Sequence, residues 1–315
     1  MFITRRVMCM LLAAVLVLTP AAVFGETQGN GANQAEITRV SKIRVSGKKL
    51  AVDVGLYIKG QPGQSLSSQT IKKQLKAVKK FADTVRFYGS AGELTKAYKI
   101  ARSMKLKIIG TAWLSGSEKA DRKELTALIR LCRKGYVDIA CVGSEAMYRG
   151  DLAPEKLVSY MNYVRGKISK KIPVTCADDA GRIIAHPEVG NSCDLLMVNA
   201  YPYWGGAAVE GAVNAFDATI TKVRKAYPGK ELIVSETGWP TAGGNCGSAV
   251  AGPSQARRYF DDIRRWSVDN NIVVLWFDAA DEPWKAWSGE GKVGAHWGLM
   301  TKNCRLKSCY KNIAG

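Results

Sequence analysis

Histidine is nearly missing from this chain. His186 and His296 are the only two in 315 residues, and neither lies in a ligand-spaced cluster. A metal-dependent hydrolase needs such a cluster, so no metal and no cofactor is expected. His186 reads as a loop residue ahead of Pro187, and His296 as a packed or rim histidine. Long apolar runs are also scarce. One near the N-terminus, Val7 to Leu18, stands alone, which excludes a polytopic membrane protein. Acidic residues are few as well: Asp and Glu number 27 against 46 Lys and Arg, a formal charge of +19. With 47% hydrophobic and 23% charged residues the chain can bury a large core, which excludes disorder, collagen-like repetition and a small disulfide scaffold.

The single apolar run follows Arg5-Arg6 and gives way to small residues up to Gly25. This is the pattern of a secretory signal peptide over residues 1–25, with an uncleaved anchor as the alternative. The expectation is a secreted or periplasmic, cell-envelope protein with no stable membrane span once the signal is cleaved. Cleavage would leave a net charge of +17 and seven cysteines, an odd number, so at least one thiol stays unpaired. Cys304 and Cys309 are close enough to close a small terminal loop. Lys72, Lys73, Lys76, Lys79 and Lys80 share a segment whose Ile71, Leu75 and Val78 recur at helical spacing, which reads as a solvated basic helix face. It lacks the interleaved aromatics that nucleic-acid binding wants, so loose attraction to an anionic envelope is the better expectation.

After a polar leader at 26–40, residues 41–315 form one domain in which apolar strands alternate with helical segments. Eight strand candidates run 50–58, 84–88, 106–113, 137–142, 173–176, 195–199, 232–235 and 272–277, with helical periodicity at 67–82, 93–104, 122–132, 154–168, 212–226 and 254–268. The connection at 181–191 is short and Pro-interrupted, and Ser67, Asp121 and Ser254 are candidate helix caps. Eight such repeats are the pattern of a (β/α)8 TIM barrel. The rival, an open doubly wound sheet, would carry a glycine-rich phosphate loop after its first strand, and Gly60-Gln61-Pro62-Gly63 is not one.

Barrel chemistry sits at the C-terminal strand ends. There Glu145 ends the fourth strand and Glu236 the seventh, ringed by tyrosine and tryptophan. Sugar rings pack apolar C–H faces on aromatics, and two carboxyl groups across such a cleft are the machinery of glycoside hydrolysis. The plainer reading makes both glutamates salt-bridged rim residues. Two further rivals are a non-catalytic carbohydrate-binding barrel and a basic envelope scaffold.

Several segments carry a family resemblance: Val85-Arg86-Phe87-Tyr88-Gly89, Gly143-Ser144-Glu145-Ala146, Ser235-Glu236-Thr237-Gly238-Trp239-Pro240, Asp281-Glu282-Pro283-Trp284-Lys285 and His296-Trp297-Gly298-Leu299. In these the chain resembles glycoside hydrolase family 17, the β-1,3-glucanases and glucanosyltransferases, with β-glucan as the implied partner. The resemblance implies that Glu236 is the nucleophile and Glu145 the acid/base of a retaining double displacement, which needs carboxyls about 5–5.5 Å apart. Tyr88 is the candidate to hold Glu236 by a phenolic hydrogen bond, and Arg86 to keep it ionised. Tyr201, Tyr203, Trp239 and Trp284 are expected as sugar-stacking walls, with Trp276 either there or in the core. Asn199, Asp278, Glu282 and Lys285 are candidates for hydroxyl recognition. Two departures from the pattern stand out. Ser144 replaces an asparagine that contacts the 2-hydroxyl, and Asp278 and Ala280 replace a glutamate and a phenylalanine on the eighth strand. Both bear on linkage preference and on transfer against hydrolysis.

Overall fold

The computed structural model describes residues 43–313. The expected signal peptide and leader lie outside the described residues. In chain order the elements are β1 (Leu50–Asp53), α1 (Ser68–Val78), β2 (Ala82–Phe87), α2 (Thr95–Ser103), β3 (Lys107–Ala112), α3 (Glu118–Arg133), β4 (Ile139–Ser144), α4 (Pro154–Arg165) and β5 (Val174–Asp179). They continue with α5 (Ala180–Ala185), α6 (Pro187–Ser192), β6 (Leu196–Asn199), α7 (Val209–Ala226), β7 (Leu232–Thr237), a small hairpin β8 (Asn245–Cys246) and β9 (Ala249–Val250), α8 (Pro253–Asn270) and β10 (Val273–Trp276). Eight strands close a parallel barrel in the order β1-β10-β7-β6-β5-β4-β3-β2, with β8 and β9 paired outside it. This is a TIM barrel.

The period-2 alternation of each strand sorts its side chains between two environments. Val52, Val85, Ile108, Val198 and Val234 face the helix layer, where α1 contributes Ile71, Leu75 and Val78. Ile109, Ile139, Cys141, Ala177, Met197, Ile233 and Leu275 form a second apolar cluster inside the barrel. Two positions further along the same inward faces the residues turn polar, with Asp53, Thr111, Asn199 and Ser235 all buried. The barrel is thus plugged by hydrocarbon below and by a polar layer at the C-terminal end.

Of the expected caps, Ser67 stands at the N-cap of α1, though without a side-chain bond, whereas α3 begins at Glu118 with Ser117 at its N-cap and α8 starts at Pro253 after Gly252. Asp121 lies inside α3, buried, where it accepts from the Ser115 amide at 2.8 Å. The short, Pro-interrupted fifth connection is two short helices broken at Pro187, the first capped by Asp179, which accepts from the Gly181 and Arg182 amides. Cys304 and Cys309 are not joined to each other, so the terminal loop is not closed by a disulfide. Among the described residues no helix is long and apolar enough to cross a membrane.

Candidate active site

Arg86 of β2 is fully buried and organises the polar layer. Its Nη1 donates to Glu236 Oε1 at 2.8 Å, to the Ser235 carbonyl at 3.3 Å and to Asp53 Oδ1 at 3.4 Å. Its Nη2 donates to Ser144 Oγ at 2.7 Å, and its Nε to Thr111 Oγ1 at 3.4 Å. Burial opposes the guanidinium charge, but Tyr88, Glu236 and Asp53 outweigh it and raise the Arg86 pKa. The two acids do not share this cation equally. Glu236 holds it at short, charge-assisted range, whereas Asp53 is farther away. Burial pushes the Asp53 carboxyl well above the usual carboxylate range, against the pull of Arg86, with Glu236 and Asp278 adding repulsion. The short bond of Arg86 therefore goes to Glu236, and burial shifts Asp53 toward its neutral form.

The second oxygen of Glu236 accepts from the Tyr201 hydroxyl at 3.0 Å. Tyr88 was the expected donor, and the structure corrects this. Its hydroxyl is buried without a hydrogen-bond partner among the protein groups, and it lies toward Asp53. The Tyr88 ring stacks 4.8 Å from the Arg86 guanidinium, so it supports the cation and does not touch the carboxylate.

Glu145 follows β4 in a left-handed backbone conformation, φ 52°. Its Oε1 accepts from Asn199 Nδ2 at 2.8 Å, and Ser235 Oγ donates to Asn199 Oδ1 at 2.7 Å, which fixes the amide orientation. Burial pushes the Glu145 pKa up to about 7, the Glu236 charge adds to the rise, and Asn199 opposes it. The loop is anchored from behind by Asp178, which accepts from the Met147 and Tyr148 amides, and by Arg149, which donates to the Ser144 and Leu114 carbonyls. Glu145 and Glu236 thus sit within electrostatic range of each other in opposite surroundings. One is desolvated with a single amide donor, the other is held by a guanidinium and a phenol.

The remaining expected residues divide. Asp278, Glu282 and Lys285 form one buried cluster, with Lys285 Nζ 2.7 Å from Glu282 and 3.2 Å from Asp278. Burial opposes the Lys285 charge, yet Glu282 and Asp278 overcome it and raise its pKa; burial pushes Asp278 up to about 7. Glu282 also accepts from the Tyr57 amide and from Trp284 Nε1, at 3.0 and 3.2 Å. A Cβ on Gly55 would meet Glu282 Oε2 at 1.9 Å, so glycine is required there. Trp284 is half-buried beside this cluster. Ser144, expected at the sugar, is 2% exposed and faces Arg86.

Three aromatics are not where a sugar-stacking wall would be. Trp239 is fully buried, with Nε1 bonded to the Val250 carbonyl, because the ring fills the space between β7 and α8 against Tyr259. Tyr203 is 1% exposed, bonds the Gly244 carbonyl and packs on Trp239 and Trp297. Trp276 is 3% exposed among Phe260, Tyr259 and Tyr310, so its core role prevails. Among the described residues the exposed aromatics are others: Trp113, Tyr148, Tyr163, Trp204 and, most of all, Trp287. Sequence reasoning missed Asp53, Thr111 and Ser235. Their signal was a polar residue on the inward register of an apolar strand.

Residues 55–298 match the BtgE/BtgC glycoside hydrolase domain. The chain belongs to that family. A glucan 1,3-beta-glucosidase of Arthroderma benhamiae is 30% identical over 278 residues, covering 80% of this chain and 87% of that protein. A probable glucan endo-1,3-beta-glucosidase, btgC, of Aspergillus fumigatus is 28% identical over 81% of this chain, which spans only 41% of that longer protein. Among solved structures, a glycoside hydrolase family 17 beta-1,3-glucanosyltransferase from Rhizomucor miehei superposes with a TM-score of 0.75 at 28% identity, over 83% of this chain and 96% of that one. An active-site mutant of the same enzyme has been solved with laminaritriose.

Proposed function

We propose that this BtgE/BtgC-family chain is an exported retaining glycosidase of the family 17 type, acting on β-1,3-glucan, with Glu236 as nucleophile and Glu145 as acid/base. The observation that carries this reading is the opposite electrostatic setting of the two glutamates. Glu145, with its pKa near 7, is a carboxylic acid through the slightly acidic range and has a proton for the leaving glycosidic oxygen. Glu236 meets Arg86 and Tyr201, both donors that stabilise a carboxylate. In the first step a Glu236 oxygen bonds to the anomeric carbon, the glycosidic C–O bond breaks, and the Glu145 proton goes to the departing oxygen. Esterification removes the Glu236 charge, which lowers the Glu145 pKa, so Glu145 then accepts a proton from the incoming hydroxyl.

A second outcome shares that first step. If a sugar hydroxyl takes the place of water, the same machinery performs transfer, and the likeness to the Rhizomucor miehei glucanosyltransferase supports that reading. Both are tested by incubating the chain with a β-1,3-gluco-oligosaccharide of defined length and following product sizes by mass spectrometry. Shorter products alone identify hydrolysis, and products longer than the input identify transfer. Glu236→Gln should abolish both. Wild-type turnover in that variant would refute the assignment.

A further inference from the structure

Between Val54 and Ala82 the chain has six lysines and no acid, and from Gly291 to its end five basic residues and no acid. The fold brings these two segments together. The Tyr57 amide in the loop after β1 donates to Glu282, and Lys307 of the C-terminal turn pairs at 2.7 Å with the adjacent Asp281. Between them the half-buried Cys304 thiol lies within electrostatic reach of both Lys59 and Lys73. Lys59, Lys72, Lys73, Lys76, Lys302 and Arg305 are all exposed, and among the described residues none of them forms an ion pair. Some surface arginines are neutralised, as in Arg122–Glu118, Arg257–Asp261 and Arg258–Glu210, whereas other exposed cations such as Lys119, Lys134 and Arg224 also lack an ion pair among the described residues. What distinguishes the arc is that the fold gathers cations from two distant segments that contain no acid.

The position of the arc gives it meaning. The Lys59 loop leaves the C-terminal end of β1, and the Lys302–Arg305 turn follows Met300, which bridges to Ala280 just beyond the C-terminal end of β10; β1 and β10 are neighbours in the barrel. The arc therefore forms part of the same rim that carries the Glu282–Lys285 cluster and the two glutamates. A neutral glucan gains nothing from cations that keep their hydration. A glucan bearing phosphate or carboxylate groups gains charge-assisted hydrogen bonds there and a raised local concentration at the cleft. We infer that the preferred substrate is a β-glucan carrying anionic substituents, read by the Lys59–Lys73–Arg305 arc. This rests on the proposed glucan activity.

The test compares a neutral β-1,3-glucan with the same glucan after carboxymethylation, using the full chain at low salt and at about 0.5 M NaCl, where screening reaches only a few ångströms. At low salt kcat/KM should be about tenfold higher on the anionic glucan, as expected for electrostatic steering. High salt should erase that difference, and so should Lys59→Gln/Lys73→Gln/Arg305→Gln, with turnover of the neutral glucan unchanged. Lys79→Gln/Lys80→Gln, farther down α1, should leave the preference intact. Equal turnover of the two glucans at low salt would overturn the inference while leaving the glucanase reading standing. If neither is cleaved, that reading fails, and affinity electrophoresis still decides this one. Stronger retardation by the carboxymethyl glucan, lost in the triple variant, supports it; equal retardation refutes it. Binding to vesicles of phosphatidylglycerol and phosphatidylcholine with no preference between the glucans would assign the arc to a membrane surface instead.

Discussion

Glu145→Gln separates the cost of the acid from its use. In the unfolded chain a glutamate ionises near 4.5, and in the folded chain burial and the Glu236 charge hold Glu145 back to about 7. Between these values the folded chain binds more protons than the unfolded one, so this group makes stability fall as pH rises through that window. At about 1.4 kcal/mol per decade of proton affinity, the full penalty is about 3 kcal/mol above pH 7, an upper bound because the side chain is partly open to water. Glutamine has nearly the shape of the protonated carboxyl, can still accept from Asn199, and carries no such penalty. Urea unfolding of both proteins should therefore give nearly equal stabilities around pH 4 and a variant more stable by up to about 3 kcal/mol around pH 8. The difference isolates Glu145 together with its coupling to Glu236, since titrations away from the site are common to both. In the wild type kcat/KM should fall with unit slope above about pH 7 as the proton is lost. A stability difference that is flat with pH would refute the desolvated-acid argument, whatever the activity.

Three further perturbations follow from the site. Tyr201→Phe removes a hydroxyl bonded to Glu236 and should lower kcat/KM about tenfold, while Tyr88→Phe, which takes no donor from Glu236, should change it far less; steady-state kinetics on one glucan compares them. Trp239→Ala should cost about 3–5 kcal/mol in a denaturation midpoint, because it empties a fully buried site. A change in KM with stability intact would return that ring to the sugar site. Lys285→Met leaves Asp278 and Glu282 buried without their cation and should cost about 3–5 kcal/mol at pH 8, less at pH 5 where Asp278 can protonate. An equal cost at both pH values would mean that the cluster is not held by charge.

The barrel was legible because each parallel strand is an apolar run and each helix repeats its buried face, as in Ile71, Leu75 and Val78 of α1. The two glutamates were legible as candidates because strand ends locate barrel chemistry and aromatic residues accompany them in sequence. What failed was the choice among aromatics. Tyr88 and Tyr201 both leave strand ends, and only the packing of Phe277 between them, edge-on to each ring, decides which hydroxyl reaches Glu236. Trp239 follows the nucleophile by three residues, yet the turn after β7 carries it behind the barrel onto Tyr259. Sequence distance from a catalytic residue says little about which side of the wall a ring faces. The same holds for Ser144. Its place beside Glu145 pointed to the substrate, but an irregular register between β4 and β5 turns it toward Arg86.

That turn links the two halves of the site. Arg86 must satisfy Glu236 without being neutralised by anything else, and the polar layer is built to that requirement. Ser144, Thr111 and the Ser235 carbonyl occupy its other hydrogens without carrying charge, and Asp53, the one competing acid, is pushed well above the usual carboxylate range by burial. A fully ionised Asp53 would divide the guanidinium between two carboxylates, at the expense of its short, charge-assisted bond to Glu236. The raised pKa values of Glu145 and Asp53 thus have a common origin. Both are acids pushed up chiefly by burial, in a site whose buried arginine makes its shortest carboxylate bond to Glu236.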